Sequence, residues 1–418
     1  VAAFFTTLHM KFFRVGGSVR DALLGLPVND IDYVVIGATP EQMVAAGFTP
    51  VGKDFPVFLH PDTRSEYALA RTERKSAPGY RGFVFHCSPD VTIEQDLQRR
   101  DLTINAMAIA VEDVEGTGKE DYSKIIDPFG GQRDLETRIF RHVSDAFIED
   151  PVRILRVARF AARFSTFTVA PETLRLMRKM VESGEVDALV PERVWQEIAR
   201  GLMEQQPACM FDVLRDVGAL VRIMPEIDAM SACTTSGDAR IKQVVNYAAQ
   251  LEFSLAVRWA AMLAATASHA SGTIDKLSDS VSPSVLRSIS LLAAQLCTHL
   301  KVPTEVRDVT LQVLREHVVV EQALHLTPES MVQLFERCDA FRRPARFTQI
   351  LQVVRSLHSE NSDFLQQSYL EQALEAARAI PSGEIARAAM LDLPNHPQQI
   401  AMAISQARAN AIRNQCGI

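Results

Sequence analysis

Two aspartates, Asp30 and Asp32, stand two residues apart in "VNDIDYVVIG", just before a β-branched and aromatic run that predicts a buried strand. On an extended chain, side chains at i and i+2 share a face, so both carboxylates look the same way. Like charges held that close repel, and folding alone gives no reason to gather them. A divalent cation removes the conflict. Magnesium takes oxygen ligands and commonly bridges one or two carboxylates to substrate phosphates, so Mg2+ is the expected ion and Asp30 and Asp32 its ligands.

Upstream lies "VGGSVRDALLG". Two glycines between a strand and a helical run let backbone N–H groups approach an anion at Gly17, while Ser18 adds a hydroxyl and Arg20 a permanent charge. A Gly-Gly turn alone is ordinary, and an aspartate pair at a strand end is often simply solvated. Ten residues apart on one strand–helix–strand unit, the two together describe a site for a metal ion with a nucleoside triphosphate. Glu66 in "SEYALARTER" is the candidate third carboxylate, placed to orient or deprotonate an attacking hydroxyl; a surface glutamate at a strand edge is a nearly equal reading. In "QRRDLTINAMAIA", Arg99, Arg100 and Asp101 precede a helical run, where positive charge opposes the helix dipole unless an anion lies nearby. In "FIEDPVRILRVARFAARF", Glu149 and Asp150 precede Pro151, which suits a first helical turn. Arg153, Arg156, Arg159 and Arg163 follow at spacings of three and four, as a basic stripe or as an ordinary solvated face.

The elements that must hold these groups divide the chain. From Phe12 to about Asp127, short strand-like runs ("FFRVGG", "DYVVIG", "PVFLHP", "EYALAR", "GFVFHC", "AMAIAV") alternate with helical ones, which predicts an α+β class with one mixed sheet. After "IIDPFGG" strand signals stop and amphipathic helices continue to the C-terminus, with breaks at "MSACTTSGDAR", "SHASGT" and "SDSVSPS". At 418 residues, 47% hydrophobic and 23% charged, the chain is an ordinary multidomain globular protein. The longest apolar stretch, "LAVRWAAMLAATA", is short and interrupted by Arg258, so no membrane partner is expected. "VAAFFTTLH" lacks the basic and apolar regions of a signal peptide and reads as a leader before Met10. Six scattered cysteines with no C-x-x-C exclude a zinc knuckle and a disulfide framework and favour the cytoplasm. A net charge of −7 excludes a globally basic nucleic-acid binder, so any such contact comes from a local patch.

In this order, "GGSVRD", "DID", "RRDLTINAMA" and "EDPVRILRVARF" resemble the class II tRNA nucleotidyltransferases, specifically the bacterial CCA-adding enzymes of the poly(A) polymerase superfamily. "GKDFPVFLHP", "ARTERKSAPGYRGF", "PERVWQEI" and "FDVLRDVGALVRIMPEID" extend the likeness. The resemblance implies a nucleotidyltransferase head at 10–145 after a leader at 1–9, a base-reading neck at 146–225, a body at 226–330 and a tRNA-binding tail at 331–418. It implies untemplated addition of C, C and A to tRNA from CTP and ATP, the RNA being held by its acceptor and T-stem. Asp30 and Asp32 would bind the metal, Gly17, Ser18 and Arg20 the phosphates, and Arg100 with Asp101 the ribose or triphosphate. Asp150 and Arg153 would read the base with Arg156 in support, and the loop around "ERKSAPGYRG" would govern the switch from C to A.

Many relatives in that family carry an HD phosphohydrolase domain, but its His-Asp pair aligns here with Ala264 and Ala265. His269, His299, His317 and His358 have no carboxylate at ligand spacing, so no such activity is expected. The rival readings are a bacterial poly(A) polymerase, an A-only member of the family, and a retired enzyme that only binds tRNA.

Overall fold

The structure, a computed structural model, describes residues 10–28, 30–51, 57–75, 83–112, 122–232, 235–270, 283–358, 363–392 and 397–416. The expected leader and most of the "ERKSAPGYRG" loop lie outside those residues.

Alternating burial builds the N-terminal sheet. Its strands are β1 (Lys11–Val15), β2 (Asp32–Ile36), β3 (Thr49–Val51), β4 (Val57–Leu59), β5 (Glu66–Leu69) and β8 (Ala108–Ala110), in spatial order β3-β4-β5-β2-β1-β8. The β2–β5 pairing is parallel and its neighbours are antiparallel, so the sheet is mixed as expected. Adjacent residues of one strand serve opposite faces. Val34 joins Phe13, Val15, Ile93 and Leu97 on the face covered by helix α3 (Ile93–Gln98), while Val35 joins Met43, Phe48, Phe58 and Leu69 on the face covered by α2 (Pro40–Ala45). Helix α1 (Gly17–Leu23) connects β1 to β2, and β6 (Thr72–Lys75) pairs with β7 (Phe83–His86) apart from the main sheet.

Strands do not end at "IIDPFGG". After helix α4 (Gly131–Glu136), β9 (Ile139–Phe140) pairs in parallel with β10 (Thr168–Val169), and helix α5 (Val152–Arg163) lies between them in sequence. Two-residue strands are too short to show a period, which is why pattern reading passes over them. Asp127 of that motif is a capping residue, its carboxylate accepting from the amides of Gly131 at 2.7 Å and Gln132 at 2.9 Å. Helix α6 (Pro171–Glu182) follows β10.

The chain forms two compact units. The first runs to Val190 and includes Asp216–Arg222; the second comprises Pro191–Arg215 and everything from Ile223. Segment 146–225, expected as a neck, is therefore shared between them. The second unit is all-α among its described residues. The expected break at "MSACTTSGDAR" is largely helical, with one helix running to Ala232 and another starting at Thr235, because serine and threonine start helices as readily as they make loops. No described helix is long and apolar enough to cross a membrane.

Arg258 shows why that apolar stretch tolerates a charge. It is 4% exposed, and its guanidinium donates to the carbonyls of Phe253 (2.8 Å), Leu202 (2.8 Å), Glu204 (3.1 Å) and Ala249 (3.4 Å). Leu202 and Ala249 belong to the last turns of helices Pro191–Leu202 and Thr235–Gln250, whose carbonyls have no partner within their own helix. One cation thus closes two helix ends. Arg258→Met keeps most of the volume and takes this donor from the Leu202 and Phe253 carbonyls, while that of Ala249 keeps the Glu252 amide at 3.0 Å, so it should lower unfolding stability by about 2–4 kcal/mol. A urea midpoint equal to that of the wild type would contradict this role.

Candidate active site

Sheet register gathers the acidic residues. Val15 lies opposite Asp32 across β1 and β2, so the glycine turn that follows Val15 begins beside Asp32. On the other side, Tyr33 pairs with Tyr67, which makes Asp32 and Glu66 neighbours at the head of two parallel strands. The two tyrosine rings stack at 4.4 Å, and the carboxylates one position earlier take the opposite face. Asp30, Asp32 and Glu66 are all exposed. The ladder begins at Asp32, so Asp30 stands in the approach to the strand and the same-face argument covers only Asp32 and Glu66.

No group of three or more His, Cys, Asp or Glu side chains is close enough to hold a metal among the described residues. An all-oxygen donor set of one or two exposed carboxylates nevertheless fits magnesium, which leaves the remaining positions to water and phosphate oxygens. Asp30 and Asp32 supply donors of that kind.

The glycine turn is tighter than its sequence suggests. Gly16 has φ +68°, and a β-carbon there would lie 2.8 Å from Arg100 Nη1. The positive φ calls for glycine, whereas the approach to Arg100 meets only the mobile end of its side chain. Arg100 is held by Asp96, which also binds Arg99 at 2.6 Å and accepts from Arg100 at 3.2 Å. Burial alone would raise the Asp96 carboxyl, but Arg99 and Arg100 outweigh it and keep the group charged. Arg100 Nε is buried and unpartnered.

Several groups expected on the nucleotide face inward instead. Ser18 is buried and donates to the Val15 carbonyl at 3.0 Å. Arg20 is buried, bonded to Asp21 at 2.9 Å and to Asn105 Oδ1 at 2.5 Å, with its guanidinium 5.1 Å from the Phe160 ring centre. Asp101, expected to contact nucleotide, is an internal acceptor for the Leu102 amide (2.8 Å), Asn105 Nδ2 (3.0 Å) and Arg156 Nε (2.7 Å). Arg153 is buried as well, giving Nη1 to the Ala146 carbonyl and Nη2 to the Arg99 carbonyl at 2.9 and 2.5 Å. Both of those residues line a cleft of about 370 Å³. Asp150 accepts from the Val152 amide at the start of α5.

Of the basic stripe on α5, Arg153 points into the fold while Arg156 and Arg163 bind carboxylates, the latter reaching Asp21 at 3.0 Å. Arg159 lies over the Phe160 ring at 4.7 Å. Gly16, Asp21, Asp96 and Asn105 are the residues that sequence reasoning missed. Asp96 stands three and four residues before Arg99 and Arg100, a helical spacing that marks an ion-pair partner.

In the second unit, Ala264 and Ala265 are fully buried. Beside them Leu263, Thr266, Ile289 and Leu296 line a cavity of about 10 Å³, enough for one water at most, together with Glu226, whose Oε2 is buried. His317 is buried and donates from Nδ1 to the Val313 carbonyl at 3.1 Å, and burial lowers its pKa. His299 is exposed and His358 packs against Phe364, while the side chain of His269 lies outside the described residues.

A family model described as "Poly A polymerase head domain" matches residues 12–141, and one described as "Probable RNA and SrmB- binding site of polymerase A" matches 166–231. The chain is 53% identical to the "Multifunctional CCA protein" of Burkholderia vietnamiensis, over 98% of this chain and all of that one. A protein of the same name from Burkholderia cenocepacia is 54% identical over the same shares. Among solved structures, the Bacillus stearothermophilus CCA-adding enzyme in complex with CTP has a TM-score of 0.67 at 21% identity, covering 97% of this chain and 89% of that one. A CCA-adding enzyme with ATP has a TM-score of 0.65 at 22% identity, over 96% and 86%. At such identities the likeness establishes the fold.

The Asp101 environment has a pH signature. Burial by itself would raise this carboxyl, but Arg156, the Asn105 amide and Arg153 hold it well below the usual carboxylate range. Its stabilising contribution is then full at neutral pH and is lost as pH falls from about 4, where the unfolded carboxyl binds a proton first, through the depressed native value. Asp101→Asn should cost about 2 kcal/mol at pH 7, allowing for the partly exposed Arg156, and the gap to wild type should narrow below pH 4. Urea titrations at several pH values measure this; a gap independent of pH would refute it.

Proposed function

Because the chain belongs to the CCA-adding tRNA nucleotidyltransferases, a membership established by relatives 53–54% identical across nearly its whole length, we propose that it builds and repairs the 3′-terminal CCA of tRNA from CTP and ATP. The observation that carries this reading is the sheet register. It sets Asp32 between Glu66 and the glycine turn, with Arg100 over that turn.

Asp30 and Asp32 would hold Mg2+, which when bound neutralises the triphosphate and favours ionisation of the primer 3′-hydroxyl. Glu66, beside Asp32, orients that hydroxyl and accepts its proton. The Gly17 backbone and Arg100 meet the phosphates. Ser18, Arg20 and Asp101 act from behind, by fixing the turn and helix α5.

Asp150 and Arg153 read the base. Cytosine and adenine each place an exocyclic amine beside an unprotonated ring nitrogen, so a carboxylate accepts from one and a guanidinium donates to the other. Uracil and guanine reverse both partners and leave buried groups unpaired. Arg153 now donates to two carbonyls, and exchanging one of them for a ring nitrogen swaps acceptor for acceptor. Arg156 supports the same nucleotide.

The head, neck, body and tail are assigned to 10–145, 146–225, 226–330 and 331–418, in a cytoplasmic protein. Body and tail grip the acceptor and T-stem by shape and phosphates. The curated relatives are named multifunctional, but alanines at 264 and 265 supply no metal ligands, and Glu226 is the one carboxylate on the lining of the small cavity beside them, which supports a body without phosphohydrolase activity.

Sequencing the products formed on tRNA trimmed to its discriminator base tests the reading. CTP alone should give CC, and CTP with ATP should give CCA. A-only products would favour an A-adding or poly(A)-forming enzyme, and no product a retired binder. Asp30→Ala or Asp32→Ala should reduce addition on the order of a hundredfold or more while tRNA binding persists. Asp150→Ala with Arg153→Ala should admit UTP or GTP, and clean exclusion of both would reject the base-reading pair. Purified protein should hydrolyse neither cyclic nucleotides nor phosphomonoesters with Ni2+ or Mg2+, and turnover above a metal-only blank would reverse the assignment of the body.

A further inference from the structure

Arginines in this protein that serve the fold meet an acceptor at close range, as Arg258 and Arg153 do. The turn joining helices Pro328–Arg337 and Pro344–Ser356 is different. In "DAFRRPAR", the Arg342 side chain is 81% exposed and that of Arg343 56%. Their nearest carboxylate is Asp339, at 3.9 and 3.5 Å, well beyond the 2.7–2.9 Å typical of a charge-assisted hydrogen bond. Arg346 and Arg307 share Asp308, at 3.6 and 3.2 Å. Four guanidiniums face two carboxylates, and most of their N–H groups remain uncommitted.

The turn is held firmly. Asp308, Gln312 and Glu316 occur at spacings of four on helix Thr304–Glu321, one stripe of its surface. Asp308 meets Arg346, Gln312 donates to the Arg337 carbonyl at 2.9 Å, and Glu316 takes Arg337 bidentately at 2.9 and 2.8 Å. On another side, Arg408 covers the Phe341 ring at 3.7 Å. Backbone bonds from Arg342 and Arg343 to the Asp339 carbonyl close the turn at 3.2 and 2.8 Å. Two adjacent arginines are therefore presented outward from a fixed backbone, which limits the ordering entropy they give up on binding an anion.

We propose that Arg342 and Arg343, flanked by Arg346 and Arg307, form a grip for the phosphate backbone of tRNA. This inference rests on the function proposed above and adds to it the surface of the tail that holds the RNA. Guanidinium forks match phosphate oxygens, and a patch that reads phosphates alone suits an enzyme that must accept every tRNA. It also supplies the local basic patch that a chain of net charge −7 requires.

The test uses the full chain and unmodified tRNA lacking CCA, with binding measured by fluorescence anisotropy across a salt series. Arg342→Gln with Arg343→Gln should weaken binding about tenfold near 0.15 M salt and make the log–log salt slope shallower by about two, near one for each phosphate no longer neutralised. Asp339→Asn removes the intervening carboxylate and should tighten binding. KM for CTP and the thermal midpoint should stay at wild-type values in the double variant. Wild-type affinity and slope in the double variant, with CCA addition intact, would overturn the grip and spare the function. Failure of the wild type both to bind and to extend tRNA would overturn the two together.

Discussion

Asp101 is a carboxylate with almost no water around it, and its charge survives because Arg156, Asn105 and a backbone amide replace that water. Asn105 turns its other end to Arg20, Arg20 binds Asp21, and Asp21 binds Arg163. Arg156 and Arg163 lie seven residues apart on α5, two turns along one face. The circuit is thereby closed. It fastens the glycine-turn helix α1, the "RRDLTINA" segment and helix α5 to one another without a disulfide or a metal. Removing one member strands a buried partner, so the segments carrying the phosphate-facing and base-facing groups are fixed together or loosened together.

Against that frame the acidic edge of the sheet is built cheaply in sequence terms. Asp32 and Glu66 need only be the first residues of two parallel strands in register, and the Tyr33–Tyr67 stack behind them fixes the register. Exposure keeps both charges hydrated until a cation and a triphosphate arrive, so the resting protein bears no large desolvation penalty there. The glycine turn follows directly from β1, and the Arg100 guanidinium lies against it at Gly16. A mixed sheet, one tight turn and one buried acid at Asp96 are enough to bring carboxylates and guanidinium to a common edge.

Much of this was legible in the sequence, because periodicity reports burial. Every strand-like run from "FFRVGG" to "AMAIAV" contains a strand. β9 and β10 escaped because two residues carry no period, β3 because Pro50 disguises an edge strand, and β6 because three of its four residues, in "TERK", are charged. The site was legible by residue type and less so by direction. An arginine has five donors on a long stem, and spacing alone does not say whether they face a ligand, as expected of Arg20 and Arg153, or a carbonyl inside the fold. Similarly, "GG" marks a turn without saying that Gly16, not Gly17, takes the positive φ.

The arginines therefore sort by their acceptors, and that sorting explains how an acidic chain handles polyanions. Arg153 and Arg258 donate to backbone carbonyls, and carboxylates nearby, Asp101 for the first and Glu252 and Glu204 for the second, offset part of their charge. Arg20, Arg156 and Arg163 meet carboxylates and add little net field. At the turn 339–346 the acceptors are too few and too far, and the excess charge faces water. Net charge averages over all three situations. A total of −7 is compatible with strong local attraction for phosphate, because carboxylates elsewhere on the surface are screened within about 8–10 Å at physiological salt, while two adjacent guanidiniums act at contact distance.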